Sequence, residues 1–255
     1  MKKNIVIVCL MLLSCFSYAQ NERTETLVQS EAKGWEYELK AGVNIGGASP
    51  IPLPKEIRKI KGYSPKFNGS FEGTVTKWLT PKWGISASLR FEEKGMETDA
   101  NVKNYGMEII EQGNHVVGYW TGDVHTTYKS SFVTLPISLN YRLANRWKLR
   151  LGTFVSYRMD GNFSGYVTEG YLREGSPIGE KVSFTNGQIA SYDFSSHLRH
   201  WHWGTLIGGS WQAFKHFNIN AELTYGMNDI FKKDFKTITF DMYPIYMNIG
   251  FGYHF

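Results

Sequence analysis

Three histidines crowd one short stretch, Ser195-Ser196-His197-Leu198-Arg199-His200-Trp201-His202. His200 and His202 would share a face if the chain is already extended there, a spacing that a metal site or an imidazole base can use. No acid or cysteine stands at ligand spacing beside them, so the expectation is a polar rim and no metal centre. A second set, Asp123, His125, Asp160, Asp193 and His115 together with many serines, holds the parts of a carboxylate–imidazole hydrolase. Nothing in the chain's order brings those parts together. No catalytic, cofactor-binding or metal residue is therefore expected, and the protein is read as no enzyme.

Whatever these residues do depends on the elements that hold them. The chain has 255 residues, of which 42% are hydrophobic, with 16 Phe, 15 Tyr and 8 Trp. That composition is too aromatic for a disordered chain. The long apolar run Ile5–Leu13 is too short to cross a membrane as a helix. Both cysteines, Cys9 and Cys15, lie at the N-terminus and cannot brace the remainder.

From Trp35 onward the pattern has period two. Trp35, Tyr37, Leu39, Ala41, Val43 and Ile45 alternate with Glu36, Glu38, Lys40, Gly42 and Asn44. The alternation recurs over Trp83–Phe91, Trp147–Arg158, Phe217–Gly226 and Tyr243–Phe255, and more weakly over Phe67–Trp78, Lys129–Tyr141 and Trp201–Ala213. Eight strands follow. Short turns at Leu79–Lys82, Leu143–Arg146 and Ala213–His216 alternate with long connections at Gly46–Lys66, Gly95–Tyr128, Asp160–His200 and Asn228–Met242. An even number of strands about ten residues long, short turns at one end and long loops at the other, predicts an all-β fold. It is an eight-stranded antiparallel transmembrane up-and-down β-barrel with long extracellular loops and short periplasmic turns.

The apolar face decides between this barrel and a soluble sandwich. Large aromatics gather at both strand ends: Trp35, Trp83, Tyr141, Trp147 and Trp211 near the short turns, and Phe91, Tyr157, Trp203, Tyr225 and Tyr243 near the long loops. Two aromatic girdles belong to a wall that faces lipid, and a soluble sandwich has no use for them. The other face carries Glu36, Glu38, Glu72, Glu92 and Glu222 against Lys40, Arg90, Lys94, Lys148, Arg150 and Arg158. Eight strands leave room only for side chains, so these charges are expected to pair into a plug. A narrow small-solute channel would need that network open. Pro136 and Pro244 fall within strands, and Phe132-Val133 are adjacent apolar residues. Together they predict a β-bulge near Phe132–Pro136.

The first residues read as an export signal: basic Met1-Lys2-Lys3, apolar Ile5–Leu13, and Ser17-Tyr18-Ala19 before a cut at Gln20. Leu12-Leu13-Ser14-Cys15 is the alternative, a lipidation site at Cys15. The domains are then a signal peptide over 1–19, a flexible periplasmic leader over 20–34 and the outer-membrane barrel over 35–255. Loss of Lys2 and Lys3 lowers the charge from +5 to +3, with no basic face for nucleic acid. The connection Pro50–Pro65 carries Lys55, Arg58, Lys59 and Lys61, and Pro54 could open a short helix through Ile60. Those cations either contact lipopolysaccharide phosphates or line a proline-stiffened solvated loop.

Several stretches resemble the PorT-like family of Gram-negative outer-membrane β-barrel proteins. They are Gly42-Val43-Asn44-Ile45-Gly46-Gly47, Glu93-Lys94-Gly95-Met96, Leu135-Pro136-Ile137 and the terminal Phe251-Gly252-Tyr253-His254-Phe255. The resemblance implies an eight-stranded barrel in the cell outer membrane, inserted by the barrel-assembly machinery with Phe255 as its recognition signal. The name-giving member is a type IX secretion and gliding factor. The expected protein is a monomeric interaction or structural barrel without cofactors. Its expected partners are outer-membrane lipids, lipopolysaccharide and envelope or secretion proteins. A rim enzyme, either a protease or a lipid A-modifying activity, is the alternative.

Overall fold

The computed structural model describes residues 34–111 and 114–255, with the backbone alone at 111, 114, 115, 185 and 186. The signal segment 1–19 with Cys15, and leader residues 20–33, lie outside the described residues. Ten strands pair into a single antiparallel sheet: β1 (Trp35–Pro50), β2 (Ile57–Pro65), β3 (Gly69–Trp78), β4 (Trp83–Glu111), β5 (Asn114–Ala144), β6 (Trp147–Glu174), β7 (Lys181–Asp193), β8 (Trp201–Gln212), β9 (Phe217–Gly226) and β10 (Met242–His254). Eight of them form a ring in the order β1-β3-β4-β5-β6-β8-β9-β10. Pairing of β1 with β10, from Glu38↔His254 to Pro50↔Met242, closes it. No helix among the described residues is long and apolar enough to cross a membrane; the strands do so.

The wall faces the way the alternation predicts. Leu149, Ile219 and Ile249 point outward at 45%, 48% and 45% exposure, while Glu222 is 5% exposed and the Arg150 side chain 12%. Apolar residues on the outside of a closed sheet are stable only against acyl chains. The girdle rings pack on one another along the wall, Trp83 with Tyr141 at 4.6 Å and Phe217 with Tyr253 at 5.2 Å. Short turns are locally encoded: Thr80 Oγ1 accepts the Trp83 N–H (2.9 Å), and the Ala213 N–H reaches the Phe217 carbonyl (2.9 Å).

Much of the long connections is strand. The β4–β5 ladder runs without a loop from Trp83↔Tyr141 to Glu111↔Asn114, and β6 continues to Glu174 before turning back as β7. Strand β2 lies along β4, from Ile57↔Val102 to Pro65↔Met96. Above the membrane the period of two continues with its chemistry reversed. Met96 and Val102 now point inward and are buried, while Glu97, Asp99 and Lys103 alternate on the other side. Strands β4 to β7 curl until β7 meets β4 at Ile110↔Ser191, around an apolar core that includes Met107, Trp120, Val167 and Leu172, all 0% exposed. Phe194, Leu198, Phe231 and Ile238, from the two remaining connections, complete it.

One local expectation fails, and the bulge expected near Phe132 is met from the partner strand. Pro54–Ile60 is no helix: Pro54 closes a turn onto the Ile57 N–H (3.2 Å), and β2 begins at Ile57 because the extended edge of β4 offers it a ladder. The bulge is not in β5, where Tyr128, Ser130, Phe132, Thr134, Pro136, Ser138, Asn140 and Arg142 all point inward in unbroken phase. The additional residue is Met159 in β6, between Ser131↔Asp160 and Phe132↔Arg158. Adjacent apolar Phe132 and Val133 mark the change of environment inside the wall and not a slip in register. Pro244 is accommodated where β9 ends, its ring occupying the space that a Cβ at Gly226 would need.

Candidate functional site

All eleven charges expected at the axis are there. Arg90 occupies the centre, pairing with Glu72 and Glu222 and lying 3.8 Å from Glu92. Lys40 Nζ reaches Glu72 Oε1 at 2.8 Å; Arg150 Nη1 reaches Glu222 Oε2 at 3.1 Å and Glu72 Oε1 at 3.6 Å. Toward the short turns, Lys148 pairs with Glu36, whose Oε2 also accepts Trp78 Nε1–H (3.0 Å). Asn218 Nδ2 donates to Glu38 Oε1 at 2.9 Å. Each buried carboxylate thus meets cations or donors that offset its lost hydration. Two voids in this network measure about 20 and about 10 Å³, each the scale of one water. Glycine makes room for the charges at one crowded place: a Cβ on Gly252 would stand 2.2 Å from Glu38 Oε1.

Arg158 alone among the eleven leaves the ion-pair network, donating Nε and Nη2 to the carbonyls of Arg199 and Leu198 (3.0 Å each). Arg142, missed in the sequence, joins the set: its guanidinium lies 3.6 Å above the Trp78 ring and 3.9 Å from Glu36. Extending the Ser138, Asn140 alternation by one step would have found it. Lys94 forms the upper boundary. Its ammonium bonds Glu92 below (2.8 Å) and faces the rings of Phe132, Phe154 and Tyr246 at 5.5, 5.4 and 5.7 Å. This aromatic cage lets a cation terminate an ionic core against an apolar one.

The candidate chemical residues separate. His197 stacks on Phe235 (4.6 Å), His200 on Tyr157 (5.8 Å), and His202 turns inward with Nε2 3.1 Å from the Arg199 carbonyl. The three imidazoles face three places because β8 begins only at Trp201. No group of three His, Cys, Asp or Glu side chains among the described residues could hold a metal ion. Asp193 caps the Ser195 N–H (2.8 Å), Asp160 sits at the β6 bulge, and the His115 side chain lies outside the described residues.

One Asp–His pair does form, with a carboxylate that the sequence reading overlooked. His125 Nδ1 lies 2.7 Å from Asp99 Oδ1, and its ring stacks on Tyr166 at 4.7 Å. The continued alternation of Met96, Ala100 and Val102 with Glu97, Asp99 and Asn101 was the available signal. Beside the pair, Asp123 accepts Lys61 Nζ (2.6 Å) and Asn101 Nδ2 (2.7 Å). Burial pushes the Asp123 carboxyl up, but these hydrogen bonds and the Lys61 charge outweigh it and hold it below the ordinary aspartate value. The Tyr192 hydroxyl donates to the backbone carbonyl of His125 (3.0 Å) and lies 2.6 Å from Thr126 Oγ1, not at the imidazole. The imidazole is oriented, and no activated nucleophile is formed by these contacts.

Three solved structures are similar to the chain over most of its length. Ail of Yersinia pestis is 15% identical, covering 87% of this chain and 99% of its own with a TM-score of 0.38. Neisserial surface protein A is 12% identical, covering 87% and 97% with a TM-score of 0.31. OprG from Pseudomonas aeruginosa is 14% identical, covering 86% and 95% with a TM-score of 0.33. No curated protein matches the chain. A family model described as outer membrane protein beta-barrel domain matches residues 18–232, so the chain belongs to that family of barrels and resides in the outer membrane.

Proposed function

We propose that the protein is a plugged interaction barrel: the membrane part anchors, and the extracellular β-extension presents a rigid surface to envelope or secretion proteins. The observation that carries this reading is the second, apolar core above the ionic plug. A floppy loop needs no such core; a surface held in one shape does. The PorT-like resemblance favours a secretion or envelope-assembly partner, and the paired interior argues against conduction and for a monomer closed on itself. Insertion through Phe255, whose N–H binds the Tyr37 carbonyl (3.0 Å) at the barrel seam, is part of the same proposal.

The test is cross-linking in intact cells with the full chain and with a variant in which residues 97–127 are replaced by a short turn below the membrane surface. The expected result is a partner adduct that the shortened chain loses while still reaching the outer membrane. Unchanged adducts and phenotype would remove the interaction role. Steady conductance in a planar bilayer would favour the channel. The Asp99–His125 pair favours a rim hydrolase as the second reading. Proteolysis or lipid A modification that disappears in Asp99→Asn would establish it.

A further inference from the structure

Where β8 leaves the membrane, Trp201 and Trp203 stand on the lipid-facing wall at 61% and 52% exposure. Residues 227–241, which join β9 to β10, pack beside them. Asn228 clamps this segment, accepting the Trp203 N–H (3.1 Å) and donating to the Trp201 carbonyl (2.8 Å). Lys232 Nζ fastens its far side to the Ser196 carbonyl (2.7 Å), and Arg199 Nη2 holds the Phe231 carbonyl (2.9 Å). Between wall and segment lies a cleft of about 1160 Å³, with Trp201, Trp203 and Tyr243 on the wall and Lys232, Lys233 and Lys236 opposite. The axis, by contrast, has voids of only about 20 and 10 Å³.

We infer that this cleft binds one phosphorylated glycolipid of the lipid A class, its phosphate against Lys233 and Lys236 and its acyl chains along Trp201 and Trp203. The position selects a lipid. Outward tryptophans mark the interface between hydrocarbon and headgroups, so an opening among them is filled from the outer leaflet. The charge selects a phosphate. Four cations line the cleft with Arg199 included, against Asp229 and Asp241. Asp229 is occupied by the Met242 N–H (2.9 Å), and burial raises its carboxyl toward the neutral form. Asp241 accepts the Tyr243 hydroxyl (3.2 Å). Lys233 and Lys236 are exposed on the segment, where their ammonium groups are available to a phosphate. The site differs from the basic connection containing Lys59 and Lys61. It rests on the membrane placement of the barrel and not on the interaction role.

The test uses the full mature chain, delipidated in zwitterionic micelles and titrated with diphosphoryl lipid A under native mass spectrometry. One tightly retained lipid is expected. Retention should fall by about tenfold for dephosphorylated lipid A and for K233Q/K236Q, the effect of lost charge-assisted contacts. Lys59→Gln/Lys61→Gln should retain it fully. Heat-modifiable gel mobility verifies that each variant is folded, and Trp201→Ala gives a second, independent loss from the acyl side. Equal retention by K233Q/K236Q, equal retention of the dephosphorylated lipid, or no retention overturns the site. Equal retention of phosphatidylglycerol overturns the glycolipid assignment. Loss of cross-linked partners with lipid retention intact would strike the interaction role alone.

Discussion

Below Lys94 and above Met96 the same strands obey opposite rules. In the membrane, β4 turns Arg90, Glu92 and Lys94 inward and Leu89 and Phe91 outward; in the residues that follow it turns Met96 and Val102 inward and Glu97 and Asp99 outward. Ion pairs change sides with them. The lower region keeps them at its axis, while the upper region wears them on its surface, as Lys61–Asp123 and Lys66–Glu97. Backbone geometry is continuous across the boundary, so the inversion owes nothing to the fold. It follows from the solvent: acyl chains reward an apolar exterior, and water rewards an apolar interior. The Lys94 cage is where the two regimes meet.

The largest effect should come from unbalancing the lower core. Glu72→Leu leaves Lys40, Arg90 and Arg150 short of a buried partner and should cost about 3–5 kcal/mol, read by urea unfolding in lipid vesicles. A cost under about 1 kcal/mol would mean that the axis is wet enough to shield the ions. In the upper core, Trp120→Ala should cost a similar ~3–5 kcal/mol, but locally. Hydrogen exchange should quicken in the upper halves of β5 and β6 and in β7 while β9 and β10 stay protected; uniform loss would make the two cores one cooperative unit. Third, Leu151→Arg on the lipid wall should cost about 2–4 kcal/mol, whereas Val117→Arg on the upper wall should stay within about 0.5 kcal/mol. Equal penalties would place the upper wall in lipid.

The smallest effect is a pH response confined to the upper surface. Asp123 has a carboxyl lowered in the folded chain, so its contribution is present above the unfolded aspartate value and is lost as pH falls through the folded one. Acidification below pH about 4 should loosen β2 from β4 and β5, with amide exchange in β2 rising less than about fivefold. Asp123→Asn should abolish that dependence, and its persistence would assign the titration elsewhere.

Much of the lower barrel is legible residue by residue. Strand number, wall orientation, girdles and all eleven axial charges follow from alternation, because lipid and a narrow axis each impose one sign on one face. The upper region was legible in the same letters, Met96, Ala100 and Val102 against Glu97, Asp99 and Asn101. Read with the membrane rule, those letters resemble a polar loop. The Asp99–His125 contact was not legible, since it needs the β4–β5 register, and neither was the separation of His197, His200 and His202, which depends on where β8 starts.

Local sequence thus determined which residues alternate, where the chain turns and what one face of each strand must meet, because these are properties of neighbours two or four positions apart. Tertiary structure decided what lies opposite. The Arg90 carboxylates come from β3, β4 and β9, the Lys94 cage from β5, β6 and β10, and the Trp201–Lys236 cleft from the start of β8 and the connection between β9 and β10. Such encounters depend on ring closure and register, which no single stretch of sequence contains.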